Sequence, residues 1–356
     1  MDKGQLRWLV GIYLMPGIVI ALPGGLLGRK FGDKRLVLVG LALMSAGGIW
    51  LGLATSFAEA NAARSLCGIG AVMLNVLATK MVADLFDGKE RLLAMSILIN
   101  SWPIGIGGAL LVVGQLAERQ GWPWGMFSTA AFAAIGFAVV AAIYRVPANV
   151  AASATTGLGL DTLTRTEWQR LLLSSLPWLL YNASFQIVLA FMPSFFVDNG
   201  FHLARAASLS AVIAIGFVLG VQAGGVLLKR SAHPDLICYA ALGGWGVAIL
   251  ALSSGAAPLL WVVLGGLLGG LPAAALVSLP AEVLRPESRS AGMGVFFTVY
   301  YFGCAILPTG AGVLYDRAGG GAALWMAAGL AFCCILILYG FRLGISNVSP
   351  QPVSAR

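Results

Sequence analysis

The sequence is poor in charged residues. Only 10% of its 356 residues are Asp, Glu, Lys or Arg, 59% are hydrophobic and the mean hydropathy is +0.89. A soluble domain carries about 25% charged residues. This deficit excludes an ordinary soluble enzyme and predicts an integral membrane protein. The net charge of +8 is therefore not attributed to nucleic-acid binding, and the lipid bilayer is the expected partner.

Residue types that serve catalysis and metal binding are also scarce. The sequence has two histidines, His202 and His233, and both lie between apolar runs. Its five cysteines lie inside apolar runs without paired loop spacing, so neither a disulfide framework nor a zinc site is predicted. There is no Asp-rich motif and no Ser–His–Asp cluster. We therefore expect no enzyme, no cofactor and no metal.

Long apolar runs are abundant. A helix needs about 20 apolar residues to cross the hydrocarbon core of a bilayer. The alternating ten-residue segments of an outer-membrane barrel are absent, so the predicted fold class is an all-α membrane protein. The eleven predicted spans are 8–28, 36–55, 60–83, 92–116, 124–144, 173–196, 206–228, 236–254, 257–281, 291–314 and 322–343.

Lysine and arginine are distributed unequally between the two sets of connections. The set that includes residues 29–35 and the C-terminus carries fifteen, and the other set carries five. Cytoplasmic connections are the ones enriched in these residues. The C-terminus is therefore predicted to be cytoplasmic and the N-terminus external. The expected location is the plasma membrane, as a multi-pass protein of a bacterial inner membrane.

The two halves of the chain resemble each other, which indicates a duplication. Two segments of the first half recur at an offset of 198 residues and a third recurs at 200: 83–95 with 281–293, 118–121 with 316–319, and 24–30 with 224–230. Parallel repeats of six-span halves are typical of one large transporter fold. The predicted divisions are an N-terminal bundle (1–145), a cytoplasmic linker (146–172), a C-terminal bundle (173–345) and a cytoplasmic tail (346–356).

The repeat also predicts a missing helix. The first half has five predicted spans and the second has six. The segment 24–30 follows the first span of the chain, whereas its repeat partner follows the second span of its half. We therefore expect that the chain lacks the first helix of a twelve-helix protein.

The stretch LPGGLLGRKFGDKR, Leu22 to Arg35, interrupts an apolar run with glycines and basic residues. It resembles the loop between the second and third helices of the major facilitator superfamily. Arg29 stands where that family has Asp, and Asp33 stands where it has a basic residue. The spacing of a phosphate-binding loop is absent. The resemblance implies a cytoplasmic gate loop containing Gly25, Arg29, Lys30, Gly32, Asp33, Lys34 and Arg35.

A second segment supports the same resemblance. Arg64 to Gly70 is similar to the Arg-x-x-x-Gly-x-Gly pattern of the family's fourth helix. The resemblance implies two pseudo-symmetric helical bundles, with five visible spans and six spans, around a central cavity. It also implies a monomer that carries a small-molecule substrate by alternating access, with a proton or another ion as a candidate coupling partner.

Polar residues inside the spans are the candidate lining of that cavity. Arg64 and Asn75 lie eleven residues apart, within 20° of one face of a helix. A charge within a membrane is costly and therefore a functional candidate, although Arg64 near a span end can also reach water. Hydrogen bonding between helices is the alternative for the polar residues. The full set is Arg64, Asn75, Asn100, Trp102, Asn182, Gln186, Gln222, Thr298 and Tyr301.

The charges inside the spans suggest a substrate class. No carboxylate lies deep in a predicted span, and Lys80 is expected to pair with Asp84 one turn later. Arg64 is then the only deep charge, which favours an anionic or neutral polar solute. The alternatives are a drug or metabolite efflux antiporter, and an inactive truncated transporter or non-transporting membrane sensor.

Overall fold

The protein is built from helices, as the composition predicts. The computed structural model describes residues 9, 12–13, 15–145, 163–255 and 257–346. In this part of the chain there are twelve helices: α1 (Pro16–Phe31), α2 (Asp33–Leu53), α3 (Phe57–Leu85), α4 (Gly88–Gln120), α5 (Trp122–Ile143), α6 (Arg165–Asp198), α7 (Leu203–Arg230), α8 (Pro234–Ser253), α9 (Pro258–Gly270), α10 (Ala273–Val283), α11 (Arg289–Ala318) and α12 (Gly320–Ser346).

Eleven helical segments correspond to the eleven predicted spans. Helices α9 and α10 form one of them, because only Leu271 and Pro272 separate the two, and a proline interrupts the hydrogen bonding of a helix. Nine segments of the described chain are long and apolar enough to cross a membrane, α9 and α10 counting as one. The other two segments are α1 and α4.

The duplication seen in the sequence is visible in the packing. Helices α1–α5 form the first half, in which α2 packs between α3 and α5, and helices α6–α12 form the second, in which α6 packs against α11 and α12. The halves meet through α1 with α11 and through α4 with α7. The repeat relates α1 to α7 and α4 to α11, so each contact is the pseudo-symmetric image of the other.

Helix α6 begins earlier than the sequence analysis places it. Thr164 caps its N-terminus by accepting a hydrogen bond from the Glu167 backbone N–H at 3.2 Å, and Glu167 accepts one from the Thr164 backbone at 2.9 Å. This is a capping box. Residues 165–172, predicted as the end of the linker, are therefore the first two turns of α6. Residues 146–162 of the predicted linker and residues 347–356 of the predicted tail lie outside the described residues.

The halves differ where α6 packs. A Cβ added at Gly303 of α11 would lie 2.3 Å from the Leu179 side chain of α6, whereas its repeat partner Gly105 of α4 has open space around it. Phe341 of α12 is 1% exposed, whereas its partner Ile143 of α5 is 74% exposed. Within the described residues, no helix of the first half takes the place that α6 takes in the second. The expectation of a missing helix stays a prediction.

This difference gives a test based on one pair of substitutions. Gly303→Leu should destabilise the fold by roughly 2 kcal/mol or more, because the new side chain must displace Leu179. Gly105→Leu should leave stability unchanged, because nothing lies near the position. The measurement is thermal unfolding of the purified protein in one detergent. Gly329→Leu on α12, also in open space, is the control, and equal loss in the Gly105 and Gly303 variants would contradict the packing.

Candidate functional site

A chain of buried charges joins the two halves at one end of the helices. We call this end, which carries the Gly32 turn and the N-terminus of α11, the basic end. Lys80 donates hydrogen bonds to Asp33 and, at 2.9 Å, to Asp84. Asp84 also accepts a hydrogen bond from Arg289 of α11 at 2.9 Å. The predicted Lys80–Asp84 pair is thus confirmed, and it belongs to a larger cluster that links α2, α3 and α11.

The predicted gate loop contributes to this cluster through Asp33. Gly32 joins α1 to α2 with a φ of 87°, a backbone conformation that favours glycine. This turn places Asp33 in the first turn of α2, beside Lys80. Lys34 donates to the carbonyl oxygens of Ala141 and Tyr144 at the end of α5. Of the other loop residues, Arg29 lies half-buried at the end of α1, and Lys30 and Arg35 are exposed.

A second set of contacts joins α4 to α7 at the same end. Lys229 forms an ion pair with Glu90 at 2.7 Å, and Lys89 donates to the Ser231 carbonyl oxygen at 3.0 Å. Lys229 is the repeat partner of Arg29. The basic end is therefore closed by one contact set on each side of the pseudo-symmetry axis.

A third cluster at this end belongs to the second half alone. Arg285, in the turn between α10 and α11, donates to both carboxylate oxygens of Glu167 at 3.1 Å. These hydrogen bonds raise the pKa of the Arg285 guanidinium. Ser288 donates to Glu167 as well, at 2.6 Å. The start of α6 is thereby attached to the turn that precedes Arg289.

Farther along the helices, α1 and α11 approach closely. A Cβ added at Gly25 would lie 2.4 Å from the Ser290 carbonyl oxygen, whereas one added at Gly24 would meet only the Met73 side chain at 3.6 Å. Of the two glycines in the stretch Leu22 to Arg35, only Gly25 therefore permits the close contact between the halves.

Four of the predicted cavity residues also pair across the halves. The Asn75 amide donates to the Tyr301 hydroxyl at 3.1 Å. The Asn100 amide donates to the Gln222 side chain at 3.2 Å and to the Val218 carbonyl oxygen at 3.1 Å. These two pairs lie about midway along the helices. They join the two halves at this depth.

The other predicted residues do not join these pairs. Thr298 donates to the Gly294 carbonyl oxygen within its own helix. Asn182 likewise donates to the Trp178 backbone carbonyl oxygen within α6. Trp102 is 54% exposed on α4, the helix that carries Gly105. The polar character of these residues did not distinguish a cavity position from bonding within a helix.

Arg64 lies on the first half. Its Nε donates to the Leu9 carbonyl oxygen at 3.2 Å, and its guanidinium lies 4.4 Å from the centre of the Tyr13 ring. Among the described residues no carboxylate forms an ion pair with Arg64. The Tyr13 ring therefore packs on the guanidinium face of Arg64, a contact that the sequence analysis did not predict.

Gln186 also has a partner that was not predicted. Its side chain and that of Tyr300 both reach the Cys304 thiol, which joins α6 to α11 in the wall of the second half. Cys304 is partly exposed. Tyr300 and Cys304 are four residues apart on α11. This helical spacing is the one sequence signal that places Cys304 on the same face as Tyr300.

The hydrogen bonds and ion pairs described between the halves occupy only part of the length of the helices. They lie at the basic end or midway along the helices, from Asp84–Arg289 and Glu90–Lys229 to Asn75–Tyr301. The two duplicated halves thus contact each other from the basic end to about the midpoint of the helices.

A sequence profile of the Major Facilitator Superfamily matches residues 1–264. The chain belongs to this family. The subfamily is unresolved.

Solved structures and curated relatives agree with this assignment. The Escherichia coli fucose:proton symporter FucP aligns with a TM-score of 0.77 at 16% identity, over 96% of this chain and 91% of that chain. The human organic anion transporter MFSD10 (TETRAN) aligns with a TM-score of 0.74 at 18% identity, over 93% and 83%. Both confirm the predicted fold.

Curated relatives match over shorter stretches. Multidrug resistance protein Stp of Mycobacterium tuberculosis (strain CDC 1551 / Oshkosh) is 30% identical over 123 residues, which is 34% of this chain and 23% of that protein. The match spans about a quarter of the length of such relatives.

The glycine pair gives a prediction about the contact between α1 and α11. Gly25→Ala should keep the basic end from closing, because the new methyl group would meet the Ser290 carbonyl oxygen. Gly24→Ala should have no effect. A cysteine placed at Ser290, which is buried, reports the change through its rate of labelling by a maleimide. We expect at least a fivefold increase with Gly25→Ala, and equal rates in the two variants would contradict the assignment.

The charge cluster gives a second prediction. Arg289→Gln removes the ion pair between the halves and leaves Asp33, Lys80 and Asp84 with a net negative charge, so the basic end should open more often. Arg342→Gln is the matched control, because Arg342 pairs with Asp235 and Glu282 inside the second half. Labelling of the same Ser290→Cys reporter should rise at least threefold in the first variant only. A rise in both variants would indicate general loosening instead.

Proposed function

We propose that this chain carries a small anionic or neutral polar solute by alternating access, and that the structure is the state open at the end opposite the basic end. The supporting observation is that the described contacts between the halves lie at the basic end and the midpoint. Rocking about the midplane pairs would close the opposite end and separate Asp84 from Arg289.

The orientation follows from charge. In the sequence, the set of connections that includes residues 29–35 carries fifteen lysines and arginines and the other set carries five, and cytoplasmic connections are enriched in these residues. We assign the basic end to the cytoplasm, so the structure is outward-open. The proposed location is the plasma membrane, which in a bacterium is the inner membrane.

The substrate class follows from Arg64. Its Nε is engaged by Leu9 and its face by Tyr13, while its two terminal nitrogens form no ion pair with a described carboxylate. An arginine recognises a carboxylate through two parallel hydrogen bonds. The space between the halves is thus suited to an anion, or to a neutral solute with hydrogen-bond acceptors.

Two further features of the proposal concern the ion that drives transport and the direction of transport. Proton coupling is supported by FucP, a fucose:proton symporter, and by carboxylates such as Asp33 and Asp84 in the closing cluster. Export is the second candidate function. The Stp protein, a multidrug resistance protein, favours it.

Transport by the purified protein tests the proposal. A thermal-shift screen with organic anions, amino acids, sugars and drugs selects a solute, and its uptake into proteoliposomes is then measured with and without a pH gradient. Arg64→Gln should raise the KM for an anion about tenfold or more, with kcat less affected. Arg64→Lys should recover part of the loss, because the charge is kept without the planar fork.

Arg119→Gln, which removes a cation at the opposite end of α4, is the control and should leave the KM unchanged. Unchanged anion affinity in the Arg64→Gln variant would refute the anion site. Movement of no solute in either direction would favour the inactive or sensory alternative. Exclusion of a labelled drug by cells, without accumulation of any solute, would favour the efflux antiporter.

A further inference from the structure

Two exposed arginines lie together where α2 begins and α5 ends, at the basic end. Lys34, in the first turn of α2, donates to the carbonyl oxygens of Ala141 at 3.0 Å and Tyr144 at 2.6 Å, at the end of α5. Arg35 follows Lys34 in the chain, Arg145 follows Tyr144, and both arginines are exposed. The Lys34 contact therefore holds the two arginines at one place, which we call the α2–α5 corner.

Within the described residues, no acidic side chain forms an ion pair at this corner. Lys34, Arg35 and Arg145 belong to none of the ion pairs found there. The nearest carboxylate in the chain, that of Asp33, is only 11% exposed and pairs with Lys80 inside the charge cluster. Positive charges held close together repel each other. An anion from outside the described chain would therefore stabilise the corner.

The repeat supplies a matched corner in the second half, where α8 begins and α12 ends. At the offset of 200 residues, Asp235 is the partner of Arg35. Asp235 pairs with Arg342 at 2.9 Å, and Glu282 pairs with the same arginine. This second corner, the α8–α12 corner, is neutralised by its own carboxylates. The α2–α5 corner has the opposite charge at the position of Asp235.

The surroundings of the α2–α5 corner suit a lipid better than a soluble anion. Val39, one turn after Arg35 on α2, is 45% exposed, and Val139 and Ile143 of α5 are 48% and 74% exposed. These apolar side chains lie inside the spans, where acyl chains are, and the arginines lie at the span ends, where headgroups are. Basic pockets between transmembrane helices bind the headgroups of anionic lipids.

We propose that the α2–α5 corner binds an anionic phospholipid, with its phosphate between Arg35 and Arg145 and an acyl chain along the exposed side of α2. Arginine binds phosphate through two parallel hydrogen bonds. The lipid then supplies the negative charge that Asp235 supplies at the α8–α12 corner. This inference goes beyond the proposed function, because it depends neither on the solute nor on the direction of transport.

Native mass spectrometry of the purified protein measures this binding directly. The delipidated protein, in a neutral detergent, is titrated with dioleoylphosphatidylglycerol or with dioleoylphosphatidylcholine, which has the same chains. We expect the first phosphatidylglycerol to bind at least tenfold more tightly than the first phosphatidylcholine, because choline cancels the charge of its phosphate. The preference should weaken as the ionic strength is raised, because salt screens exposed charges.

Two variants link the preference to the corner. Arg35→Asp introduces the charge of the α8–α12 corner, so the new carboxylate pairs with Arg145 and the preference should fall below twofold. Arg35→Gln combined with Arg145→Gln should have the same effect without adding an acid. Thermal unfolding in detergent without lipid should be the same for both variants and the unaltered protein, because the arginines are exposed.

The matched control removes two arginines at the basic end of the second half. Arg165 and Arg230 are also exposed, and Arg165→Gln combined with Arg230→Gln gives the same change in net charge. This variant should keep the tenfold preference. An equal loss in the control would indicate attraction to the net charge of the basic end and would overturn the assignment to the corner.

Three further outcomes would overturn the proposal. Equal binding of the two lipids to the unaltered protein would show that the headgroup charge is not recognised. An unchanged preference in the Arg35→Asp variant would show that the lipid binds elsewhere. Displacement of phosphatidylglycerol by an equal concentration of glycerol 3-phosphate would show a site for a soluble phosphate, with no contribution from the acyl chains. None of these outcomes bears on the proposed transport function.

Discussion

The contact between the halves at the basic end depends on a buried cluster of four charges. Asp33, Lys80, Asp84 and Arg289 have side chains that are only 9–13% exposed, and together they are electrically neutral. Burying ions is costly unless each is paired, and removing one partner leaves an uncompensated charge. Because Arg289 belongs to the other half, neutrality exists only while the halves meet at this end. The cluster therefore couples charge balance to conformation.

The second contact set at this end has different physical properties. Lys229 and Glu90 are 33% and 60% exposed, so water screens their attraction and the pair contributes little to stability. The two contact sets use different positions of the repeat, and their energies are unequal. Closure is therefore held mainly on the side of α1, α3 and α11, where Gly25 lets the backbones approach.

The repeat itself is broken at the partners of its charges. Asp84 pairs across the halves with Arg289, whereas its repeat partner Glu282 pairs with Arg342 inside the second half. Arg91, the partner of Arg289, pairs with Asp87 in its own helix and turn. Duplicated sequences thus give similar helices but not similar ion pairs, because the partner of each charge depends on which opposite charges lie near it.

The sequence predicted features that are set by local spacing. The spans followed from hydropathy, and the Lys80–Asp84 pair followed from one helical turn. The start of α6 was also encoded locally, in Thr164 and Glu167, but the apolar-run criterion overlooked it because a polar first turn precedes the apolar run. Contacts between helices were not predicted by local spacing. Asn100 and Gln222 are 122 residues apart, and hydropathy contains no information on which polar side chains face each other.

The same limit explains why the sequence identified Arg64 but not its surroundings. A cation in a span is conspicuous by its cost, whereas Tyr13 and Cys304 are ordinary residues of apolar runs and become relevant only through their neighbours. The structure places the Tyr13 ring against the guanidinium face, a contact worth about 0.5–2 kcal/mol, and a backbone carbonyl on Nε. Both contacts orient the guanidinium while leaving its charge without an ion pair among the described residues. An arginine held in place in this way is consistent with the anion site proposed above.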